Sequence, residues 1–299
     1  MLREGCFFTG ELQINFAEGQ DHGQAFVLLH AGAARWQYGL ALIEALTLRW
    51  HVYAPDFRGH GSSGRVRGAR GRADLGYQLQ NYVDDTAAFI ERAVGEAAIV
   101  YGHSLGGEVG VMLAAQHPEL VSALIVGDAP LSTDRHATEE PAHRAQNELW
   151  YALAGQPAEE IETALRAMLV PVPGTAQLRP ATEVLGEDSE WFALQAATLQ
   201  QLDPGVLGAV LAGPEVMLSG YEPRVLLPAI ECPTLLLQAD PHGPLAGGVL
   251  RDEEVRLGLA LLRHGQHVRL DGIGHPLHGP AWQMPRVLAA IEGFLADRQ

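Results

Sequence analysis

The 299-residue chain carries 36 acidic and 20 basic side chains, a formal net charge of −16, and 47% of its residues are hydrophobic. This length suits one large α/β domain, or a core domain that carries a smaller insert. The negative charge disfavours nucleic acid and anionic membrane surfaces as partners, because both are bound through basic patches. We therefore expect a globular protein that acts on a small molecule, as a monomer or a homodimer.

Cysteine content and apolar runs bear on location. Cys6 and Cys232 lie far apart and form neither a disulfide framework nor a metal-ligand spacing. The first residues lack a basic segment followed by an apolar stretch, so no signal peptide is predicted. No apolar run approaches the ~20 residues that a spanning helix needs. A cytoplasmic protein is expected, without a metal or organic cofactor, since HExxH is missing and no GxGxxG follows the first strand.

Strand and helix patterns alternate along most of the chain. Alternating apolar residues near the N-terminus predict a hairpin, and continuous apolar runs predict strands covered on both faces. The predicted buried strands are 25–29, 52–54, 97–101, 123–126, 234–240 and 268–270. The predicted helices are 36–48, 82–94, 252–262 with Asp252 as N-cap, and 287–295. This alternation indicates an α/β fold with a mostly parallel, doubly wound sheet.

The pattern changes between residues 131 and 222. Buried strand runs disappear there, and helical patterns separated by Pro and Gly replace them, over 143–153, 158–169, 189–202 and 205–211. We interpret 131–222 as a helical cap inserted into a core formed by 1–130 and 223–299. Leu, Met and Trp side chains in the cap suggest a small apolar acyl or alcohol group on the substrate.

One motif dominates the chemistry. Gly102-His103-Ser104-Leu105-Gly106 matches G-x-S-x-G and stands between a predicted buried strand and a helix. A sharp strand-to-helix turn strains the central serine and brings the residues two before and two after it too close for a Cβ. The serine hydroxyl is then raised at a helix N-terminus, which favours negative charge. Ser104 is the predicted nucleophile.

Four segments in this order resemble the α/β-hydrolase fold superfamily, in its capped, esterase-like branch: His30-Ala31-Gly32, Asp56-Phe57-Arg58-Gly59-His60-Gly61-Ser62-Ser63, the Ser104 motif and Gly274-His275. The resemblance implies that His275 is the general base. It also implies an oxyanion hole made by the backbone N–H groups of Gly32 and Leu105. Ala31 departs from the usual His-Gly at this loop. His30, Asp56, Arg58 and His60 are interpreted mainly as braces of their loops.

The third member of the triad has two candidates. The resemblance places the acid after the seventh strand, where Asp240 is the only carboxylate, although it falls two residues early. Some relatives place the acid after the sixth strand, which here means Asp128. Asp240 is narrowly favoured. Its alternative role is an Asx-turn before Pro241, and that of Asp128 is a loop brace at the entrance to the cap.

These residues predict a cofactor-free serine hydrolase that cleaves a small, largely apolar carboxylic ester or lactone through an acyl-Ser104 intermediate. Two alternatives remain. The same triad serves carbon–carbon bond hydrolysis with His275 as a proton shuttle, and a hormone-type receptor keeps the pocket while scarcely turning over.

Overall fold

An eight-stranded sheet forms the centre of the molecule in the computed structural model, which describes residues 2–66, 76–132, 141–172, 175, 177–243, 246–278 and 282–296. The strands are β1 (Arg3–Phe8), β2 (Gln13–Glu18), β3 (Ala25–Leu29), β4 (His51–Pro55), β5 (Ala98–His103), β6 (Val121–Gly127), β9 (Thr234–Ala239) and β10 (Gly265–Leu270). Their spatial order is β1-β2-β4-β3-β5-β6-β9-β10. β1 and β2 form the antiparallel edge, and every pairing from β4 to β10 is parallel.

Helices cover both faces of this sheet. Those of the core are α1 (Leu40–Leu46), α2 (Leu79–Phe89), α3 (Leu105–Gln116), α10 (Pro223–Ala229), α11 (Asp252–Leu261) and α12 (Met284–Ala296). Short 3₁₀ turns occupy Trp36–Gly39 and Pro118–Leu120, and a π-helical turn, Ile90–Val94, ends α2. The parallel strands β3, β4, β5 and β9 are buried along their whole length, because each lies between two apolar layers, whereas the edge strand β10 is partly exposed.

The insert leaves the sheet after β6 and returns before β9. It contains α4 (Pro141–Leu153), α5 (Ala158–Ala167), α6 (Ala181–Leu185), α7 (Trp191–Gln200), α8 (Pro204–Ala212) and α9 (Pro214–Met217), with a small antiparallel pair, β7 (Leu169–Pro171) and β8 (Leu178–Pro180). Its buried side chains, such as Ile161, Phe192 and Leu199, join the same apolar cluster as Leu105 and Val109 of α3. Gln195, Gln201 and Asp203 of the insert hydrogen-bond to the segments that follow β3 and β4, at the carboxyl ends of these strands. The α/β fold with a helical cap is confirmed.

Three details differ from the sequence prediction. Helix α11 has Arg251 as its N-cap, and Asp252 is the first helical residue. The reason is that Glu254 accepts the Arg251 N–H at 2.9 Å, while the Asp252 carboxylate accepts from Gln238. The pair β7–β8 was not predicted, since three-residue strands give no periodicity. The segment predicted as 36–48 begins as a 3₁₀ turn and ends at Leu46 as α1.

Among the described residues, no helix is both long and apolar enough to cross a membrane.

Candidate active site

Ser104 occupies a strained turn between β5 and α3. Its backbone has φ 53° and ψ −117°, a region that L-residues rarely adopt. The turn is held because the Ser104 N–H donates to the Gly127 carbonyl at 3.0 Å and the Ser104 carbonyl accepts from Gly107 N–H at 2.8 Å. Strain of this kind persists only where the surroundings over-determine it, and it is frequent at functional sites.

Glycines on either side make this turn sterically allowed. A Cβ added at Gly102 would lie 2.0 Å from the Gly106 carbonyl oxygen, and one added at Gly106 would lie 2.3 Å from the Leu29 carbonyl oxygen. Real Cβ atoms do not tolerate such contacts with backbone. The residues two before and two after Ser104 must therefore be glycine, as the motif predicts.

The backbone N–H groups predicted to form the oxyanion hole belong to Leu105 and Gly32. Leu105 is the first residue of α3, so its N–H has no carbonyl acceptor inside the helix. Gly32 lies against it: a Cβ built at Gly32 would be 3.8 Å from Leu105 Cδ2. Neither N–H donates a hydrogen bond within the described part of the chain. This arrangement fits the donor pair expected of an oxyanion hole.

His275 follows β10 and is bound to the loop after β6. Its Nδ1 lies 2.7 Å from Asp128 Oδ2. Asp128 is fully buried, has φ 44°, and accepts three further hydrogen bonds, from the N–H groups of Ala239, Val249 and Leu250 at 2.9–3.2 Å. Because a carboxylate only accepts, the bond fixes the proton of a neutral His275 on Nδ1 and leaves Nε2 as the basic nitrogen.

Asp240, the narrowly favoured candidate for the triad acid, forms no hydrogen bond with His275 in the described part of the chain. The geometry does not match that preference. One oxygen accepts the N–H of His242 at 2.9 Å in an Asx-turn, and the other accepts the N–H of Gly272 at 2.8 Å. These two N–H groups, from Gly272 first and then His242, lower the pKa of the Asp240 carboxyl. Asp240 thus fastens the end of β9 to the turn after β10, the Asx-turn role that the sequence also allowed.

His103 connects the nucleophile strand to the loop of His275. Its Nε2–H donates to the His275 carbonyl at 2.8 Å, and the two rings lie 4.9 Å apart. Burial, with the neighbouring His275 and His278, holds the pKa of His103 well below its usual range, so the ring is neutral. His103 adjoins Ser104 in sequence, and these contacts place His275 beside the nucleophile. No hydrogen bond joins Ser104 Oγ to His275 Nε2 within the described residues, and such bonds often tighten only when substrate binds.

The sequence did not single out His103, because it fills the variable position of G-x-S-x-G. The one available signal was a histidine at the end of a buried strand, directly before the nucleophile. His278, three residues after His275, packs against His103, with the ring centres 4.9 Å apart. Its Nε2 is 2.8 Å from the Tyr101 hydroxyl, and burial lowers its pKa to about 4.

The other strand-end residues brace loops, as expected. His30 Nδ1–H donates to the Ala31 carbonyl at 2.7 Å, and its Nε2 accepts the Phe57 N–H at 2.9 Å. Burial lowers the pKa of His30 to about 4, so this bridge is uncharged. The bridge joins the Gly32 loop, Ala31 included, to the loop after β4.

Hydrogen bonds of buried side chains hold the loop after β4 in place. Asp56 is 1% exposed and accepts hydrogen bonds from Trp36 N–H at 2.8 Å, Asn15 Nδ2 at 3.0 Å and Ser62 N–H at 3.2 Å. Arg58 pairs with Asp85 through Nε and Nη2 at 2.7 and 2.8 Å. His60 is fully buried, donates to the Arg58 carbonyl, and has its pKa lowered to about 3 by burial.

Comparison with known proteins agrees with this architecture. The profile of the family described as alpha/beta hydrolase fold matches residues 24–173, half of the chain. A 2-(acetamidomethylene)succinate hydrolase of Mesorhizobium japonicum is 30% identical over 119 residues, which is 40% of each protein. The match thus spans well under two thirds of that relative.

Two solved structures resemble nearly the whole chain. The enol-lactonase of Burkholderia xenovorans LB400 has a TM-score of 0.67 at 15% identity and covers 98% of this chain and 100% of its own. A thermophilic esterase of Thermogutta terrifontis has a TM-score of 0.69 at 20% identity, with coverage of 99% and 98%. At these identities the likeness shows the fold alone. With the profile match, it establishes that the chain belongs to the α/β-hydrolase fold family.

Proposed function

We propose that the protein is a serine hydrolase that cleaves a carboxylic ester or lactone of a small molecule. The observation that carries this proposal is the Asp128–His275 hydrogen bond of 2.7 Å, next to the strained Ser104. A buried carboxylate, an oriented imidazole and a presented hydroxyl are the three parts that nucleophilic acyl transfer requires. Asp128 takes the role of triad acid in this proposal.

The reaction begins when His275 Nε2 removes the Ser104 proton and Ser104 Oγ attacks the substrate carbonyl carbon. The carbonyl π bond becomes an oxyanion that the Leu105 and Gly32 N–H groups stabilise. As the carbonyl re-forms, the C–O bond to the alcohol breaks, and His275 returns its proton to the leaving alkoxide. Water attacks the acyl-Ser104 ester by the same route, giving the acid and free Ser104.

Asp128 contributes by orientation. Its Oδ2 accepts the Nδ1–H of His275, which keeps the tautomer productive and stabilises the imidazolium that forms after proton transfer. The buried N–H groups of Ala239, Val249 and Leu250 keep the carboxylate in place. A hydrogen-bonded carboxylate with no rotational freedom holds the imidazole ring in one orientation.

The relatives support the reaction class in general terms. Those named above are a hydrolase, an enol-lactonase and an esterase. Apolar side chains of the insert, among them Ile161 and Phe192, belong to the same apolar cluster as α3, which supports a substrate with an apolar portion. The buried Asp128–His275 pair, joined through His103 to the strand that ends at Ser104, supports turnover over a receptor role, and no contact among the described residues favours carbon–carbon cleavage.

The test is covalent labelling together with turnover. A fluorophosphonate probe is expected to label Ser104, and Ser104→Ala is expected to lose both labelling and p-nitrophenyl ester hydrolysis while it melts like the wild type. Ser62→Ala is the matched control, because Ser62 is exposed and only its backbone N–H is used in the loop. Undiminished ester turnover in Ser104→Ala would refute the proposal.

A further inference from the structure

Arg35 is half-buried and has no acidic partner among the residues that the structure describes. Its Nη1 donates to Gln201 Oε1 at 2.8 Å, whereas its buried Nε has no hydrogen-bond partner. Within the described part of the chain, Nη2 has no partner and no carboxylate pairs with the guanidinium. The chain contains 36 acidic side chains against 20 basic ones, so a shortage of carboxylates does not explain this.

Arg58 shows what the same edge of a guanidinium does when it is paired. Its Nε and Nη2 bind both oxygens of Asp85 side-on, at 2.7 and 2.8 Å. Such two-point pairing is the geometry that arginine offers to a carboxylate. The Nε–Nη2 edge of Arg35 is the equivalent edge; Gln201 holds the guanidinium through Nη1, and no acceptor for this edge is found in the described part of the chain.

The surroundings of Arg35 form a polar seam between the core and α7, made by Arg35, Tyr38, Gln195, Thr198 and Gln201. Tyr38 hydrogen-bonds with Gln195 Oε1 and contacts the Thr198 side chain. Gln195 is 3% exposed, and its Nε2 has no partner. Buried polar atoms are nearly always paired in folded proteins, so two unpaired donors in one seam point to a ligand that accepts hydrogen bonds.

The seam lies close to the proposed reacting centre. Arg35 follows Gly32 by three residues, and three residues span at most about 11 Å even when fully extended. Both residues belong to the loop between β3 and α1, whose backbone is fixed where the Trp36 N–H donates to Asp56 at 2.8 Å. A substrate group bound at Arg35 can therefore be linked by a short carbon chain to a carbonyl group that accepts the Gly32 N–H.

We infer that the Nε–Nη2 edge of Arg35 binds a carboxylate of the substrate, which makes the substrate an ester or lactone of an acid that keeps a second, free carboxylate. This inference rests on the proposed function and adds the substrate class. Gln195 of α7, whose Nε2 is unpaired among the described residues, supplies a further hydrogen bond to the same substrate. The apolar lining of the insert then receives the remainder of the molecule.

Two pairs of esters test the inference. The first pair is the mono-p-nitrophenyl ester of adipic acid and the same ester of its monoamide, so that the charge lies on the acyl side. The second pair is 4-acetoxybenzoate and 4-acetoxybenzamide, with the charge on the alcohol side. Within each pair a carboxamide replaces a carboxylate of nearly the same shape, and kcat/KM is measured at constant ionic strength.

The wild type is expected to favour the carboxylate member of at least one pair by about 10- to 100-fold, the range of a charged hydrogen-bonded contact. Arg35→Gln should remove that preference and leave kcat/KM for the carboxamide within about threefold, and Arg35→Lys should keep part of it. Arg224→Gln is the control for the loss of one positive charge, because Arg224 is exposed on α10.

Equal kcat/KM within both pairs in the wild type would overturn the inference, even if Arg35→Gln failed to fold. An equal loss on charged and neutral esters in a folded Arg35→Gln would overturn it too, since Arg35 would then only support the loop. The proposed function fails in a different way, when the fluorophosphonate probe does not label Ser104. The two failures are thus separable.

Discussion

The turns after β6 and β9 both begin with an aspartate, yet they use it in opposite ways. Asp128 is fully buried and accepts three backbone N–H groups together with His275. Asp240 is partly exposed, and its two carboxylate oxygens accept hydrogen bonds from the N–H of His242 in its own turn and from the N–H of Gly272. The same residue type at the same sheet edge is therefore either the partner of the general base or a clasp between loops. The difference lies in which strand it follows.

Register explains this outcome. Gly127 of β6 pairs with Leu237 of β9, so Asp128 lies level with residue 238, and Asp240 lies two residues further along its strand. Two residues of strand are about 6–7 Å, which is far more than a hydrogen bond tolerates. β6 is also one strand nearer to β5 and Ser104. Asp128 thus meets the His275 ring, while Asp240 meets the turn that leads to it.

The largest expected effect comes from Asp128→Asn. The amide must direct an NH₂ group at His275 or at the buried N–H groups, so kcat/KM for a p-nitrophenyl ester should fall by about 10³- to 10⁴-fold. Two hydrogen-bond donors then face each other in a buried site, which should also lower the free energy of unfolding by about 1–3 kcal/mol. Steady-state kinetics and chemical denaturation measure the two. Wild-type turnover in this variant would show that Asp128 is not the acid.

A smaller effect is expected from His103→Phe, which keeps a ring but leaves the His275 carbonyl without its 2.8 Å donor. We expect kcat/KM about tenfold lower, since a buried carbonyl without a donor costs about 1–3 kcal/mol and the loop can shift to recover part of it.

His103→Gln should restore part of the activity, because its amide can donate to the same carbonyl. His278→Phe is the matched control: it removes the bond to Tyr101 and does not touch the His275 carbonyl. If His278→Phe reduced turnover as much as His103→Phe, the effect would belong to general packing rather than to positioning of His275.

The smallest effect is expected from Asp240→Asn. Its kcat/KM should stay within about threefold of the wild type, and its free energy of unfolding within about 1 kcal/mol, because the side chain is partly exposed and does not hydrogen-bond to His275. If the loss of turnover in Asp240→Asn matched that in Asp128→Asn, the different roles assigned to the two aspartates would be refuted.

The stability of the protein at low pH gives a further test of the difference between Asp128 and Asp240. The folded pKa of Asp240 lies below the 3.8 of an ordinary aspartate, because the N–H groups of Gly272 and His242 favour the charged form. Its contribution is therefore complete above pH 3.8 and is lost as pH falls through the folded pKa. The difference in melting temperature between wild type and Asp240→Asn should shrink over that range.

Much of the site could be predicted from sequence, since local rules govern it. The elbow requires glycine at 102 and 106, and the close contacts of the structure match that requirement. The proposed general base, His275, and the two proposed N–H donors follow from motif and chain order. These features depend on residues within a few positions of one another, where spacing fixes geometry.

The acid could not be settled in this way. The partners of Asp128 lie 111, 121, 122 and 147 residues further along the chain, and no local pattern encodes those meetings. Arg35 was missed for a related reason. Its lack of a partner becomes visible only when α7 is seen beside it, and a single arginine in a loop gives no sequence signal.

The long separations around Asp128 also have a consequence for folding. All four partners of the Asp128 carboxylate lie in the part of the chain that follows the 131–222 insert. Their hydrogen bonds can therefore form only after the segments before and after the insert have packed together. Contacts across more than a hundred residues carry a high loop-closure entropy and form slowly. Turnover in this protein therefore reports a finished fold, and a fragment holding only one half of the sheet cannot display it.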